Sequence, residues 1–503
     1  MSEHPNGWIV VALGDLCSKP QYGFTTKSTV EGTVKYLRTT DLTSGKINWD
    51  KVPFCITEPD DERYQLEDND IVISRAGSVG FHCLVKQPPA QTVFASYLIR
   101  FKPDKAIFPE YLSLFLRSRD YWEQLKSKAV GVAVQNVNAT SLSELVVPVA
   151  PLNEQIRIAD KLDSVLAKVD AAQARLEKIP ALLKRFRQSV LAAATSGELT
   201  REWREQSRLY EEKNSAHEVI NLIQTRKLAW INENNQHNEV SRVKKRVHAF
   251  LANGDIETTD LPDNWAWAKL EDVVLMVVDC HNKTAPYVDN GIALVRTTNI
   301  RDGRFIWEDL RYVSEETYQY WSKRCLPEPG DVVFTREAPM GEAAIIPEGA
   351  KICLGQRTML FRSIEDQFSA KFLLIALMDP RFRERSENIA VGTGVKHYRV
   401  GDVSELNVPV PPVEEQTEIV RRVESLFAQA DAVEKQYRAA KQRLDRLSQS
   451  LLVKAFRGEL VPQDPSDEPA AELLKRIQAE RHPHAADKPK RKTAKRSHQN
   501  NAF

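Results

Sequence analysis

The chain has 503 residues, 42% of them hydrophobic and 28% charged, the balance of a globular protein long enough for several domains. Its 70 Lys and Arg against 69 Asp and Glu leave a net charge of +1, so any nucleic-acid site would have to be a local patch. Six scattered cysteines without a CxxC or Cys/His cluster argue against zinc or a disulfide framework, and no signal peptide or membrane-length apolar run is visible, so a cytoplasmic protein with reduced, packed cysteines is expected.

Residues 1–150 read as a mixed α/β domain. Trp8–Leu13 opens it, and Val34–Arg38, Asp70–Ser74 and Phe94–Phe101 read as strands, rich in β-branched and aromatic residues. Ala76–Gly80 is a tight glycine turn, Pro109–Leu125 a helix, and Val130–Asn136 a loop or short strand. Residues 151–200 follow as a heptad helix. Its apolar seam is Ile158, Leu162, Val165, Val169, Ala172, Leu176 and Ile179, with alternating steps of four and three. Pro148 and Pro151 hold its entry extended, and Asn153 is a candidate N-cap. Pro180, lacking an amide donor, predicts a kink. Residues 201–260 are a polar connector with a helix at Ala216–Trp230, and Arg242–Arg246 reads as a basic, solvated stretch.

From Leu261 the chain repeats itself. Gln155 falls on Gln416, Gly197–Leu199 on Gly458–Leu460, Asp70 on Asp331 and Val130 on Val391, all at an offset of 261. Residues 261–411 therefore form a second α/β domain, with strands at Ile292–Arg296, Asp331–Arg336 and Met359–Arg362 and a helix at Phe368–Met378. Residues 412–460 form a second heptad helix in phase with the first. It has Lys441 where the first has Pro180 and should be straighter. Two long, like seams predict a paired coiled coil. Residues 461–482 form a C-terminal helix, and 483–503 a basic tail that is disordered, either simply solvated or adding weak phosphate contact. The copies diverge at 17–33 against 277–291 and at 81–95 against 342–356, as expected for one scaffold serving different targets.

The motifs of catalysis are missing. There is no GxxxxGK[ST] loop, no HExxH, no dinucleotide-binding glycine pattern, no Asn/Asp-Pro-Pro-aromatic motif and no nucleophile–base grouping by spacing. A binding protein is favoured over an enzyme.

The paired Pro-x-Pro…Glu-Gln entries at Pro148–Gln155 and Pro409–Gln416, the paired Gly-Glu-Leu exits at Gly197 and Gly458, and the stretch Ile179–Gln188 resemble the specificity subunit of Type I restriction-modification systems. The resemblance spans nearly the whole chain. It implies duplicated α/β (α+β) target-recognition domains separated by two long antiparallel coiled-coil helices. Each domain would read one half of a split target in double-stranded DNA. The helices would set the spacer and dock two methyltransferase subunits, through which motor-nuclease subunits join. It implies no catalysis and no cofactor in this chain, with S-adenosylmethionine, ATP and Mg used by the other subunits. Two other readings stay open: a self-contained DNA methyltransferase or nuclease with unrecognised motifs, and a coiled-coil scaffold without a DNA role.

Base edges are read by side chains such as Arg, Asn and Gln. The divergent loops and glycine turns offer Tyr22, Thr25, Lys27, Arg75, Ser78, Gln135 and Asn136 in the first domain. In the second they offer His281, Lys283, Arg336, Gln356, Arg357, Lys396 and His397. Arg75 and Arg336 are equivalent by the repeat, which points them toward phosphate or scaffold rather than discrimination.

Overall fold

The computed structural model describes residues 4–42, 45–128, 136–206, 215–233, 240–253, 260–281, 283–392 and 396–481. The expected loop at Val130–Gln135, the basic tail and parts of the 201–260 connector lie outside these residues. The chain divides into two compact units. One draws on Met1–Glu177 and Arg438–Phe503, the other on Lys178–Tyr437.

In the first unit the sheet order is Gln21–Tyr22, Leu98–Phe101, Ile71–Ser74, His82–Leu84, all antiparallel. A second sheet joins Ser28–Thr29, Phe54–Cys55, Val34–Leu37 and Thr92–Phe94. Strand alternation explains how one sheet serves two cores. Ile71, Ile73, Ile99 and Phe101 face the helices, while Val72 and Leu98 face a second core with Leu37 and Phe94. The second unit repeats this. Val332, Phe334, Met359 and Phe361 face its helices, and Val333 and Leu360 join Val295 and Ile352 on the other side. The stretch Phe94–Phe101, read as one strand, is two. Leu98 N–H donates to Ala95 O at 2.9 Å, and the resulting turn passes the chain from one sheet to the other. Pro109–Leu125 is likewise two helices, Pro109–Phe115 and Arg119–Lys128.

A two-stranded ribbon closes each domain: Ile9–Ala12 with Val146–Val149, and Ala266–Lys269 with Asn407–Val410. Pro148 and Pro409 are tolerated because such strands are edges. The first helix runs Leu152–Leu176 and resumes at Ile179–Thr195 with Pro180 in its first turn, where the missing N–H costs nothing. The second runs unbroken from Val413 to Phe456, as the absence of a proline predicts. Asn153 is not the N-cap. Pro151 holds that position, and Asn153 Nδ2 instead donates to Asp467 Oδ1 at 3.2 Å.

Within each unit the helices meet in antiparallel order. In the first unit, Ile158 and Leu162 share a core with Leu452, Ala455 and Phe456, and Gln173 bonds Asp445 farther along. In the second, Val190, Leu191 and Ala194 pack with Ile419, Val420 and Val423, and Arg187 pairs with Asp431 at 2.6 Å. The expected solvated stretch Arg242–Arg246 lies in a helix, Val240–Asn253. Arg246 is anchored, not solvated: it pairs with Glu271, Asp272 and Glu405 at 3.1, 3.0 and 2.6 Å. Among the described residues no helix is long and apolar enough to cross a membrane.

Candidate nucleic-acid interface

The strand register brings several sequence-selected residues to one sheet edge. Tyr22 lies opposite Ile99, and Ser74 opposite Leu98, so the residues just beyond these pairs share an end of the sheet. Arg75 follows Ser74. Its N–H donates to Tyr97 O at 2.8 Å, and its carbonyl accepts from Val137 N–H at 3.0 Å. Its guanidinium sits 5.1 Å over the Tyr22 ring, a cation–π contact. The Tyr22 hydroxyl accepts from Ala139 N–H at 2.9 Å, tying the segment after Asn136 to the strand end. Asn136 is bridged to Ala76, and Thr25 Oγ1 donates to Ser96 Oγ at 2.8 Å. Ser78 lies in the turn shaped by Gly77 and Gly80, both at positive φ. Lys27 is exposed two residues past Thr25, and Gln135 lies outside the described residues.

The second unit builds the same edge. Asp279 lies opposite Met359, and Thr335 opposite Thr358. Arg336 N–H donates to Arg357 O at 2.8 Å, and Arg336 O accepts from Tyr398 N–H at 3.1 Å. The guanidinium is spent internally, on Asp279 at 3.2 Å and on Tyr398 O at 3.1 Å. Burial lifts the Asp279 carboxyl above its usual range, and the cations of Arg336 and Arg324 oppose that shift. His397 is bridged to Glu337, and Thr284 Oγ1 donates to Gln356 Oε1 at 3.1 Å. Arg357 reaches Glu337 at 3.0 Å, and Lys283 and Lys396 are exposed. His281 differs from the rest. Its ring packs on Trp321 at 4.4 Å and Tyr320 at 5.4 Å, an aromatic cluster of its own.

Superposing the hydrogen-bond patterns pairs the positions one for one. Tyr22 matches Asp279, Arg75 matches Arg336, Ser96 matches Gln356, Tyr97 matches Arg357, and Asn136 matches His397. The hydrogen-bond framework is the same, although Arg357 takes a positive φ that Tyr97 does not, and of these matched side chains only the arginine after the central strand is shared. Tyr97, 59% exposed, was not selected from the sequence, nor were Ser96, Asp279 and Glu337. The signal for Tyr97 was available, since an offset of 260 places it on Arg357.

Such an edge offers donors, acceptors and rings, which suit recognition of polar edges rather than bond breaking. Burial pushes the thiols away from nucleophilic range, Cys55, Cys83 and Cys325 to about 11 and Cys353 to about 12. Among the described residues no group of three or more His, Cys, Asp or Glu is placed to hold a metal ion.

Residues 5–181 and 262–441 match the family model of the Type I restriction modification DNA specificity domain. The specificity subunit of the Type I restriction enzyme EcoKI of Escherichia coli K12 is 28% identical over 97% of this chain and 98% of its own length. That of EcoBI from Escherichia coli is 32% identical over 74% of this chain and 72% of its own. The fold is similar to the crystal structure of the HsdS subunit from Thermoanaerobacter tengcongensis, with a TM-score of 0.50, 19% identity, and coverage of 91% of this chain and 98% of that one. A chain from a study of assembly and conformational transition of the type I R-M system gives a TM-score of 0.56 at 20% identity, covering 91% of this chain and 100% of that one. The two matched ranges fall one in each repeat. The chain belongs to the Type I restriction-modification DNA specificity family, whose members are non-catalytic DNA-recognition subunits.

Proposed function

We propose that this chain selects the DNA sequence for a Type I restriction-modification complex, with residues 1–150 reading one half of a split target and residues 261–411 the other. The observation that carries the reading is the doubled edge: one hydrogen-bond framework, built twice, with different side chains at matched positions. The contacts to DNA are assigned to the selected residues Tyr22, Thr25, Lys27, Ser78, Gln135 and Asn136 in the first domain. In the second they are assigned to Lys283, Gln356, Arg357, Lys396 and His397. Arg75, Arg336 and His281 serve to shape these surfaces.

The two long helices act as a spacer and as the docking surface for two methyltransferase subunits. Motor-nuclease subunits join through those, and the partners bring S-adenosylmethionine, ATP and Mg. The exposed apolar side chains of Leu182, Phe186 and Val433 on the helices suit such docking. Phe186→Asp is expected to weaken co-purification with the methyltransferase subunits. Isolated chain carrying that substitution should keep its thermal midpoint.

Genome-wide adenine methylation, compared between strains with and without the gene, tests the reading. A split motif should vanish with the gene. Persistence of every methylated motif, in a strain whose partner subunits are active, contradicts it.

A further inference from the structure

Arg357 stands apart from the other charged residues of the second edge. It is one of the few non-glycine residues at positive φ, at +69°. A β-carbon is disfavoured there, and glycine or asparagine is the usual occupant. Strain of this kind persists only where the surroundings fix the backbone. Here they do, because the Arg357 carbonyl accepts from Arg336 N–H at 2.8 Å. The turn needs no arginine; the side chain is what the position supplies.

Among the described residues that side chain has one ion-pair partner. Its Nε lies 3.0 Å from Glu337 Oε2, with the arginine side chain 51% exposed and the glutamate 22%. Among the described residues its two terminal amino groups make no hydrogen bond to the protein. The carboxylate thus holds the guanidinium at Nε while half of the side chain stays exposed, next in sequence to Gln356 and paired with the residue bridged to His397. Arg336 shows the contrast. Its charge is consumed by Asp279 and Tyr398 O, and its counterpart in the first unit is also arginine. The counterpart of Arg357 is Tyr97, so this cation belongs to one unit and not to the shared scaffold.

We infer that Arg357 reads a guanine in the half-site taken by the second unit, with Glu337 fixing the angle of approach. This rests on the proposed DNA-reading role. A fork of two parallel N–H donors fits two adjacent acceptors. In the major groove guanine presents such a pair, N7 and O6. Adenine presents an acceptor beside a donor, cytosine a donor, and thymine one acceptor beside a methyl group. A phosphate also accepts a bidentate arginine, but that contact carries no sequence information.

The test uses the full chain assembled with its methyltransferase subunits, and maps methylated motifs by sequencing. The variants are Arg357→Gly, which relieves the positive φ and so protects the fold, and Glu337→Gln, which keeps a weaker acceptor. In Arg357→Gly, one G·C position in one half-site should lose its preference by roughly tenfold to a hundredfold, with the other half unchanged. Glu337→Gln should relax the same position by less. An unaltered motif overturns the inference, as does relaxation at an A·T position. A uniform fall in methylation across all sites also overturns it and marks a phosphate contact. If the assembled wild-type complex methylates no split motif, the DNA-reading role itself fails, an outcome separable from the others.

Discussion

His82 shows how single residues stiffen the edge from behind. It follows the turn that carries Arg75 and Ser78, and its buried Nε2–H donates to Ser113 O at 3.0 Å. Burial presses the imidazole down to about 4, aided by Arg117 and opposed by the Ser113 carbonyl. The fold therefore holds His82 neutral while the unfolded chain titrates near 6.5. Between these values the unfolded state binds more protons, so stability present above about pH 6.5 is lost as pH falls toward 4. At about 1.4 kcal/mol per unit, the loss reaches roughly 3 kcal/mol. Denaturant titrations of the full chain at several pH values should show this slope, and His82→Gln should flatten it. A second residue-scale contrast lies where Phe456 and Thr195 occupy matched positions. Phe456 packs against Tyr111 and Phe115 at 5.1 and 5.3 Å. Thr195 Oγ1 instead donates to Asp379 Oδ2 at 2.6 Å and accepts from Arg381 at 2.7 Å. The helix end is clasped by rings in one unit and by a polar network in the other.

At the scale of elements, the repeated Glu-Gln is a joint between domain and helix. Gln155 Oε1 accepts from Phe108 N–H at 2.9 Å, and Gln416 Oε1 accepts from Ser369 N–H at 2.9 Å. Glu154 takes the indole N–H of Trp8 at 2.9 Å, and Glu415 that of Trp265 at 2.8 Å. The two glutamates differ in their second partner. Glu154 meets the exposed Gln463, whereas Glu415 meets Thr200 and the largely buried Arg204. Glu154→Ala leaves one buried donor unpaired and should cost about 1–3 kcal/mol. Glu415→Ala also leaves the part-buried Arg204 without its carboxylate and should cost more than Glu154→Ala. Denaturant unfolding orders the two; equal costs would count against this view of the joint. The exits are as constrained. Gly197 and Gly458 sit at φ of +75° and +74°, and an added Cβ would lie 2.5 Å from Pro262 and 2.3 Å from Pro5. Alanine at either should lower the melting temperature. The joint was legible as a repeated motif, and the interruption at Pro180 from its missing amide donor. The seam was legible only in part: Ile158, Leu162 and Val169 are buried, but Leu166 is buried where Val165 was expected, and Val433 and Leu447 of the second helix are exposed. The switch of sheets inside Phe94–Phe101 was not legible, because a stretch rich in apolar and aromatic residues, with no glycine or proline to mark a turn, is equally compatible with one strand or two. Nor was the anchoring of Arg246, whose carboxylate partners at Glu271, Asp272 and Glu405 are distant in sequence.

At the scale of the whole molecule, the second unit is one continuous stretch of chain, whereas the first is assembled from both ends of it. Ala470, Leu473 and Ile477 of the C-terminal helix belong to the core that also holds Trp8, Leu13 and Tyr111, and Ala470 N–H donates to Gly7 O at 2.8 Å. The equivalent helix at Ala216 closes the second unit through Asn264 O at 3.0 Å. Truncation after Gln463 should therefore loosen the first unit alone. Hydrogen exchange should rise at Leu13–Leu16 and Tyr111–Phe115 and stay unchanged at Val332–Thr335. The central claim is that each domain reads one half-site independently. It is tested most directly by replacing residues 1–150 with the corresponding domain of another family member, assembling the chimera with its methyltransferase subunits, and sequencing the methylated sites. One half of the motif should change while the other half and the spacer between them stay fixed. A change in both halves, or in neither, would contradict it.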